Sequence, residues 1–102
     1  MRQIGVVAYK VIREIGLRNL EALVLRWLPD GVRRGREYVA RNPRRADKSQ
    51  GSFSINLDTG VWADFAVGVK GCGVIDLYAY LTNQEVPSAA NDLAEMFGVA
   101  NV

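Results

Sequence analysis

The stretch GSFSINLDTGVWADFAVGVKGCGVIDLYAYL, residues 51–81, carries the clearest structural pattern in this 102-residue sequence. Phe53, Ile55 and Leu57 alternate with polar residues, which is the two-residue period of a strand with one buried face. Asp58-Thr59-Gly60 predicts a turn, because glycine accepts the positive φ that a tight hairpin requires. The five residues after the turn predict the returning strand, so we expect a β-hairpin at the centre of the fold.

The remaining elements follow from helical spacing and turn residues. Apolar residues at helical spacing predict helices over residues 3–15, 19–28, 74–81 and 87–97. The first helix is expected to end at Gly16, although a strand beginning at Ile4 is a rival interpretation, and Asn19 is expected to cap the second. Tyr38–Ala40 predicts a strand beside the hairpin, and residues 68–73 predict a glycine loop. The expected fold is α+β: a small antiparallel sheet of about three strands, flanked by helices.

Length and composition favour one ordinary globular domain over residues 1–102. There is no run of 18 apolar residues and no cleavage signature near the N-terminus, so neither a membrane span nor a signal peptide is expected. A single cysteine excludes an internal disulfide. A cytoplasmic location without membrane contact is the resulting prediction.

Positive charge is concentrated in one segment. Residues 33–48 contain seven basic side chains against two acidic ones, Glu37 and Asp47. From residue 49 onward the only basic residue is Lys70, against six acidic residues. Such an asymmetric distribution predicts one side of the molecule that faces anions.

Four segments, NPRRAD, GSFSINLDTGVWADFAVG, KGCGVIDLYAYL and LAEMFGV, occur in an order that resembles a known family. This is the small zinc-binding domain that begins bacterial and phage DNA primases, and the sequence is most similar to its zinc-free variants in phage and plasmid primase-type proteins. The resemblance covers about residues 35–99, and residues 1–32 form the predicted N-terminal helices outside it. It departs from the family at Cys72-Gly73, where Gly-Asp is usual, so a role of that acidic residue is not implied here.

The family's metal ligands are replaced in this sequence. In the primase pattern Cys-Pro-x-His precedes the hairpin and Cys-Phe-x-Cys-Gly follows it, whereas here Asn42-Pro43-Arg44-Arg45 and Asp64-Phe65-Ala66-Val67-Gly68 stand in those places. Structural zinc takes four ligands from Cys, His and carboxylates, and this chain has one Cys and no His. We therefore expect no metal and no other cofactor. The second helix has an apolar face, and its burial is expected to supply the folding free energy that zinc binding supplies in the family. This face consists of Leu20, Leu23, Val24, Trp27 and Leu28.

No catalytic group stands out, so we expect that the chain is not an enzyme. Histidine is absent, and Cys72 lies between glycines with no partner in the sequence that would activate it as a nucleophile. The stronger signal is for nucleic-acid binding, in which cations hold phosphates while an aromatic ring stacks on a base. The candidate nucleic-acid-binding residues are Arg33, Arg34, Arg36, Arg41, Arg44, Arg45, Lys48, Trp62 and Lys70. Two plainer interpretations stay open: the arginines pair with the acidic C-terminal half, and Trp62 belongs to the core.

The resemblance implies a non-catalytic accessory domain of phage or mobile-element origin that acts in DNA replication. It would bind single-stranded or locally opened DNA, and primase, helicase or a host nucleic-acid-processing complex are its expected protein partners. The family domain precedes a catalytic module, so a separately expressed accessory protein and a piece of a longer chain both remain open. The alternative function is a small phage interaction module or inhibitor, such as an anti-defence protein. That module would dock through an acidic surface that includes Asp76, Glu85, Asp92 and Glu95.

Overall fold

The structure is a computed structural model that describes residues 4–44 and 52–100. Within these ranges the fold is α+β, with a five-stranded antiparallel sheet and four helices. The elements in chain order are α1 (Val6–Arg18), α2 (Leu20–Trp27), β1 (Val32–Arg34), β2 (Glu37–Ala40), β3 (Phe53–Asn56), β4 (Val61–Asp64), β5 (Val69–Cys72), α3 (Val74–Thr82) and α4 (Val86–Phe97). None of the helices in the described ranges is both long enough and apolar enough to span a membrane.

The strands follow one another across the sheet in the order β1-β2-β3-β4-β5, and the predicted hairpin, β3–β4, lies inside it. Ile55 stands opposite Trp62 in the hairpin register. In the turn, the Asn56 side-chain oxygen accepts the backbone N–H groups of Asp58 and Thr59 at 2.9 and 3.0 Å. Gly60 adopts a φ of +79°. The hairpin prediction is confirmed.

The sheet has five strands where about three were expected. A second hairpin, β1–β2, lies at the start of the basic segment; Arg34 pairs with Glu37 across its turn, and Gly35 in the turn has a φ of +61°. The expected glycine loop contains β5, which pairs with β4. Gly71 in β5 lies so close to the Trp62 ring that a Cβ atom there would fall 2.5 Å from the ring carbon Cζ2. The glycine thus makes room for the indole.

Helix α2 and α3 cover one face of the sheet. Leu20, Val24 and Leu28 pack in one core with Tyr38 and Phe53 of the strands. The predicted apolar face of α2 is confirmed, since Leu20, Leu23, Val24 and Leu28 are all buried and Trp27 is partly buried. Each large apolar side chain buried in this way stabilises the fold by about 1.5–3 kcal/mol. A second core joins α1, α3 and α4.

Helix α1 differs from its prediction in where it ends and in one residue of its apolar face. It continues through Gly16 to Arg18, because Gly16 is a packing residue and not a terminator. A Cβ atom on Gly16 would lie 2.2 Å from Cγ1 of Val74, so the missing side chain allows α1 to approach α3. Val7 stands at helical spacing with Ile4 and Val11 in the sequence, yet it is 58% exposed. Asn19 does not cap α2 with its side chain, which donates instead to the Ile15 carbonyl at 2.8 Å.

Candidate nucleic-acid interface

The side of the sheet that α2 and α3 leave uncovered forms an open face. Because side chains alternate along a strand and opposite residues share a face, the pairing register assigns its members. They are Val32, Arg34, Glu37, Val39, Ser54, Asn56, Val61, Ala63, Lys70 and Cys72. All of these are exposed or partly exposed, whereas Tyr38, Phe53, Ile55 and Trp62 on the opposite side are buried.

Three of the predicted cations lie at the margins of this open face. Arg34 is on the edge strand β1 and Lys70 on the edge strand β5, and four strand spacings of ~4.8 Å separate these two strands by roughly 19 Å. Arg41 follows β2 directly and is exposed. The face also carries Glu37, whose carboxylate accepts a hydrogen bond from the Ser54 hydroxyl at 2.5 Å. Three positive side chains therefore lie at the margins of a face that mixes apolar and polar side chains and holds one carboxylate.

Phe65 adds an exposed aromatic ring next to this surface. It follows β4 directly, its backbone N–H donates to the Ser52 carbonyl at 2.9 Å, and its side chain is 76% exposed. Carrying the alternation of β4 one residue further places Phe65 on the same side as Val61 and Ala63. An exposed ring beside cations is the arrangement that single-stranded nucleic acids use for base stacking.

Trp62, a candidate nucleic-acid-binding residue, is buried and does not belong to the open face. Its side chain faces the helices, is only 4% exposed, and lies beside Phe53 and Tyr80 with ring centroids 6.1 and 5.1 Å away. A base cannot reach a ring that is covered in this way. Trp62 is a core residue, as the plainer interpretation had it. The exposed aromatic ring beside the open face is that of Phe65.

Two further predicted cations are paired within the chain. Arg33 points to the helix side of β1, where its Nη1 lies 2.6 Å from the Glu21 carboxylate and its Nε donates to the Gly35 carbonyl at 2.8 Å. Arg36 lies at the β1–β2 turn, 3.2 Å from the Asp58 carboxylate. Of these two pairs, Arg36–Asp58 fits the interpretation in which the arginines pair with the acidic C-terminal half, whereas Arg33 pairs with Glu21 of α2. Arg45 and Lys48 lie outside the described residues.

Arg44 lies beside the end of α3. Its guanidinium carbon is 4.6 Å from the centroid of the Tyr80 ring, within the range of a cation–π contact. Its Nη2 donates to the Asn83 side-chain oxygen at 3.1 Å. Asn83 itself ends α3 in the left-handed conformation, with a φ of +53°. Arg44 therefore holds the chain after β2 against the end of α3 while its side chain stays exposed.

A buried polar cluster lies under this arginine. Asn42 donates from Nδ2 to the Asp64 carboxylate at 2.8 Å and to the Tyr80 hydroxyl at 2.7 Å, and its side-chain oxygen accepts the Arg44 backbone N–H at 2.9 Å. Asn42 is 1% exposed and Asp64 is fully buried. The two segments that the resemblance aligned with the family's ligand pairs thus meet in space, through their first residues.

The turn that follows Asp64 is organised around its carboxylate. The second carboxylate oxygen accepts the Ala66 backbone N–H at 3.0 Å, and the Asp64 carbonyl accepts the N–H groups of Val67 and Gly68 at 3.3 and 2.9 Å. Gly68 has a φ of +74°, a conformation that favours glycine. Asp64 therefore stabilises the turn that follows it and also holds the strand end at Asn42.

Sequence reasoning did not identify Asn42, Asp64 and Tyr80 as one cluster. The available signal was that Asn42 and Asp64 stand in corresponding first positions of the two replaced ligand pairs. Among the described residues, no group of three or more His, Cys, Asp or Glu side chains converges as a metal site would require. No protein-family model matches this sequence, and no curated protein matches it significantly.

Proposed function

We propose that this chain is a non-catalytic accessory domain that binds single-stranded or locally opened DNA through the open face of its sheet. In this proposal it is a zinc-free relative of the template-binding domain of primases, of phage or mobile-element origin, and acts in DNA replication beside a primase or helicase. The observation that carries it is an uncovered sheet face with Arg34, Arg41 and Lys70 at its margins and the exposed ring of Phe65 beside it. Cations bind the phosphates and the ring stacks on a base.

The buried cluster supports the relationship to primases. If Asn42 and Asp64 replace two metal ligands, their side chains must lie within contact distance, and they are 2.8 Å apart. The Asp64 turn, closed by Gly68 at a positive φ, stands where the family has its second ligand pair followed by glycine. In this proposal the hydrogen bond between the Asn42 amide and the Asp64 carboxylate joins the two loops that a metal ion joins in the family.

The test is fluorescence polarisation with labelled single-stranded and duplex DNA over a series of salt concentrations. The triple variant R34A/R41A/K70A should bind more weakly, and the slope of log K against log salt should fall by about 2, since each lost phosphate contact removes ~0.7. The matched control is R33A/R36A, because those two arginines are paired with Glu21 and Asp58 and are not on the open face. We expect the control to keep most of the slope.

Stacking is tested separately from charge. F65A should lower the affinity about 10-fold without changing the salt slope, because base stacking contributes about 1–3 kcal/mol and releases no counterion. V67A serves as its control, since Val67 is also half exposed and follows in the same turn. Absence of binding to either DNA at low salt would contradict the proposal.

A protein-interaction module is the second candidate, and the same surface supplies an observation in its favour. Phe65, Val67 and Val61 are 76%, 50% and 49% exposed, and apolar side chains grouped in this way also suit a protein partner. If V61D and F65D abolish biological activity while R34E and R41E leave it intact, the interaction module is the better description.

A further inference from the structure

A shallow depression lies in the open face, over Ala63 of β4. Its volume is about 330 Å³. The residues around Ala63 that form its walls include Glu37, Ser54, Val61 and Phe65. Val61 and Phe65 stand two residues before and after Ala63, so the small alanine side chain lies between two larger ones that are 49% and 76% exposed. Sites for small molecules measure about 300–1,000 Å³, so the depression has room for one base.

The Glu37 carboxylate is held in a defined position at the wall of this depression. Its Oε1 accepts the Ser54 hydroxyl at 2.5 Å, and Ser54 stands directly opposite Ala63 in the β3–β4 register. Its other oxygen, Oε2, has no partner among the described residues and is not buried. The carboxylate therefore lies one strand away from the floor of the depression, with one oxygen open to a ligand.

The wall at Glu37 and Ser54 presents hydrogen-bond acceptors. The Ser54 hydroxyl gives its only proton to Glu37, so Ser54 can accept a further bond but cannot donate one. An ionised carboxylate accepts hydrogen bonds and donates none. Asn56, the next residue of β3 on this face, turns its side-chain oxygen towards residues 58 and 59, away from Ala63. A base that lies over Ala63 thus meets acceptors along this wall.

Lys70 lies on the other side of Ala63. It stands opposite Ala63 in the β4–β5 register, and it is exposed on the open face. A DNA strand whose phosphate is bound by Lys70 can therefore extend its base across Ala63 towards Glu37, with the Phe65 ring beside it. Because a carboxylate repels phosphate, the base edge and not the backbone of the strand approaches Glu37.

We infer that this depression binds one base of the DNA strand and prefers cytosine to thymine. Cytosine carries an amino group, N4, that donates to an acidic side chain, whereas thymine has the acceptor O4 at that position. Thymine can turn its single N–H group to the carboxylate only by bringing one of its carbonyl oxygens close to the same acceptors. The inference rests on the proposed function, and it adds base preference to a face that otherwise recognises only phosphate charge and a stacked ring.

The experiment compares the affinity for oligo(dT) with the affinity for the same oligomer carrying one central dC, by fluorescence polarisation at one salt concentration. The two bases are single rings without charge, so the phosphate contacts stay the same and stacking changes little. Both oligomers should bind, the dC oligomer about 5-fold more tightly, which is at the lower end of the discrimination that matched base contacts give.

E37Q is the decisive variant, because the amide keeps the shape of the side chain and offers a donor as well as an acceptor. Removing a negative charge will strengthen binding of both oligomers, so the readout is the ratio of their affinities, which should fall to about one. The matched control is E21Q, which removes the same charge from a carboxylate that is paired with Arg33 away from the open face, and it should keep the ratio.

A63L fills the depression and should also bring the ratio to about one, while the salt dependence of binding stays, because the cations at the margins are unchanged. Equal affinity of the wild-type chain for both oligomers, or a preference that E37Q leaves unchanged, overturns the inference and leaves DNA binding by the open face standing. If neither oligomer binds, both proposals are overturned.

Discussion

The Asn42 side-chain amide donates to the Asp64 carboxylate across 2.8 Å, although the two residues are 22 positions apart and both are buried. This contact ties the segment after β2 to the end of β4. Tyr80 and Arg44 extend it to α3, through the 2.7 Å bond from Asn42 to the Tyr80 hydroxyl and the 4.6 Å contact of Arg44 with that ring. One cluster therefore joins the ends of the inner strands β2 and β4 to α3.

Exchanging the two side chains tests this cluster. N42D alone places two carboxylates together in a buried site and should lower the free energy of unfolding by about 3–5 kcal/mol. The double variant N42D/D64N should recover at least half of that loss. In it, Asn at 64 donates to Asp at 42, which also accepts the Tyr80 hydroxyl and the Arg44 N–H. Urea unfolding of the four proteins in the cycle measures the coupling.

D58N is the control for the exchange, since Asp58 is an exposed carboxylate paired with Arg36 at 3.2 Å. A surface pair of this kind contributes about 0–1 kcal/mol, so its loss should change stability little. A double variant as unstable as the sum of its two single variants would show that Asn42 and Asp64 do not act as a pair.

Restoring the family's ligands tests the relationship to primase zinc domains. The variant N42C/R45H/D64C/V67C should bind Co²⁺ in a tetrahedral thiolate site, seen as visible absorption bands that Zn²⁺ abolishes. Its control replaces V67C with V61C. Val61 and Val67 are 49% and 50% exposed, but Val61 lies on the open face and points away from Asp64. A folded variant that takes up no metal, or a control that binds equally well, would contradict the proposed relationship.

Elements with a complete local pattern were predictable from the sequence. Phe53 and Ile55 alternate with polar residues and a turn follows, so the hairpin needs no information from elsewhere in the chain. The edge strands β1 and β5 were not predicted, because all three residues of β1 are exposed and β5 contains a glycine. Their strand conformation is set by hydrogen bonding to a neighbouring strand, which short-range patterns do not report.

The same limit applies to the candidate site. The basic segment was visible as composition, but the sequence could not show that Arg33 turns towards Glu21 while Arg34 remains on the open face. That division follows from strand alternation in β1, a strand that was itself not predicted. The Asn42–Asp64 bond is also a long-range contact, and only the resemblance indicated that these two positions correspond.

The substitution G16A has two effects on the stability of the fold, and they have opposite signs. Replacing glycine by alanine inside a helix normally stabilises it by about 1 kcal/mol. Here the new Cβ would lie 2.2 Å from Val74 Cγ1, so G16A should destabilise the fold by about 1–3 kcal/mol through overpacking. In a chain that already carries V74A, adding G16A should destabilise the fold less than G16A does in the wild-type chain. Thermal unfolding of the four proteins measures the difference. A more stable G16A protein would show that α1 and α3 do not pack this closely.

The raised pKa values of Tyr38 and Tyr78 predict how the stability of the fold responds to alkaline pH. Burial raises the pKa of Tyr78, and the neighbouring Asp92 carboxylate raises it further through its charge and a hydrogen bond. Burial also raises the pKa of Tyr38, against a smaller lowering by the Gly31 backbone. In the unfolded chain both phenols ionise near pH ~10. The unfolded state therefore releases protons first, and the stabilisation is complete below about pH 10 and is lost as pH rises through the folded pKa values.

Urea unfolding at a series of pH values from 8 to 11 measures this loss, with Y38F/Y78F as the comparison. The double variant will be less stable at neutral pH, because the Tyr38 bond to the Leu28 carbonyl and the Tyr78 bond to Asp92 are gone. Its stability should nevertheless fall less steeply above pH 10 than that of the wild type, since two raised pKa values have been removed. Parallel curves for the two proteins would show that neither phenol contributes to the alkaline transition.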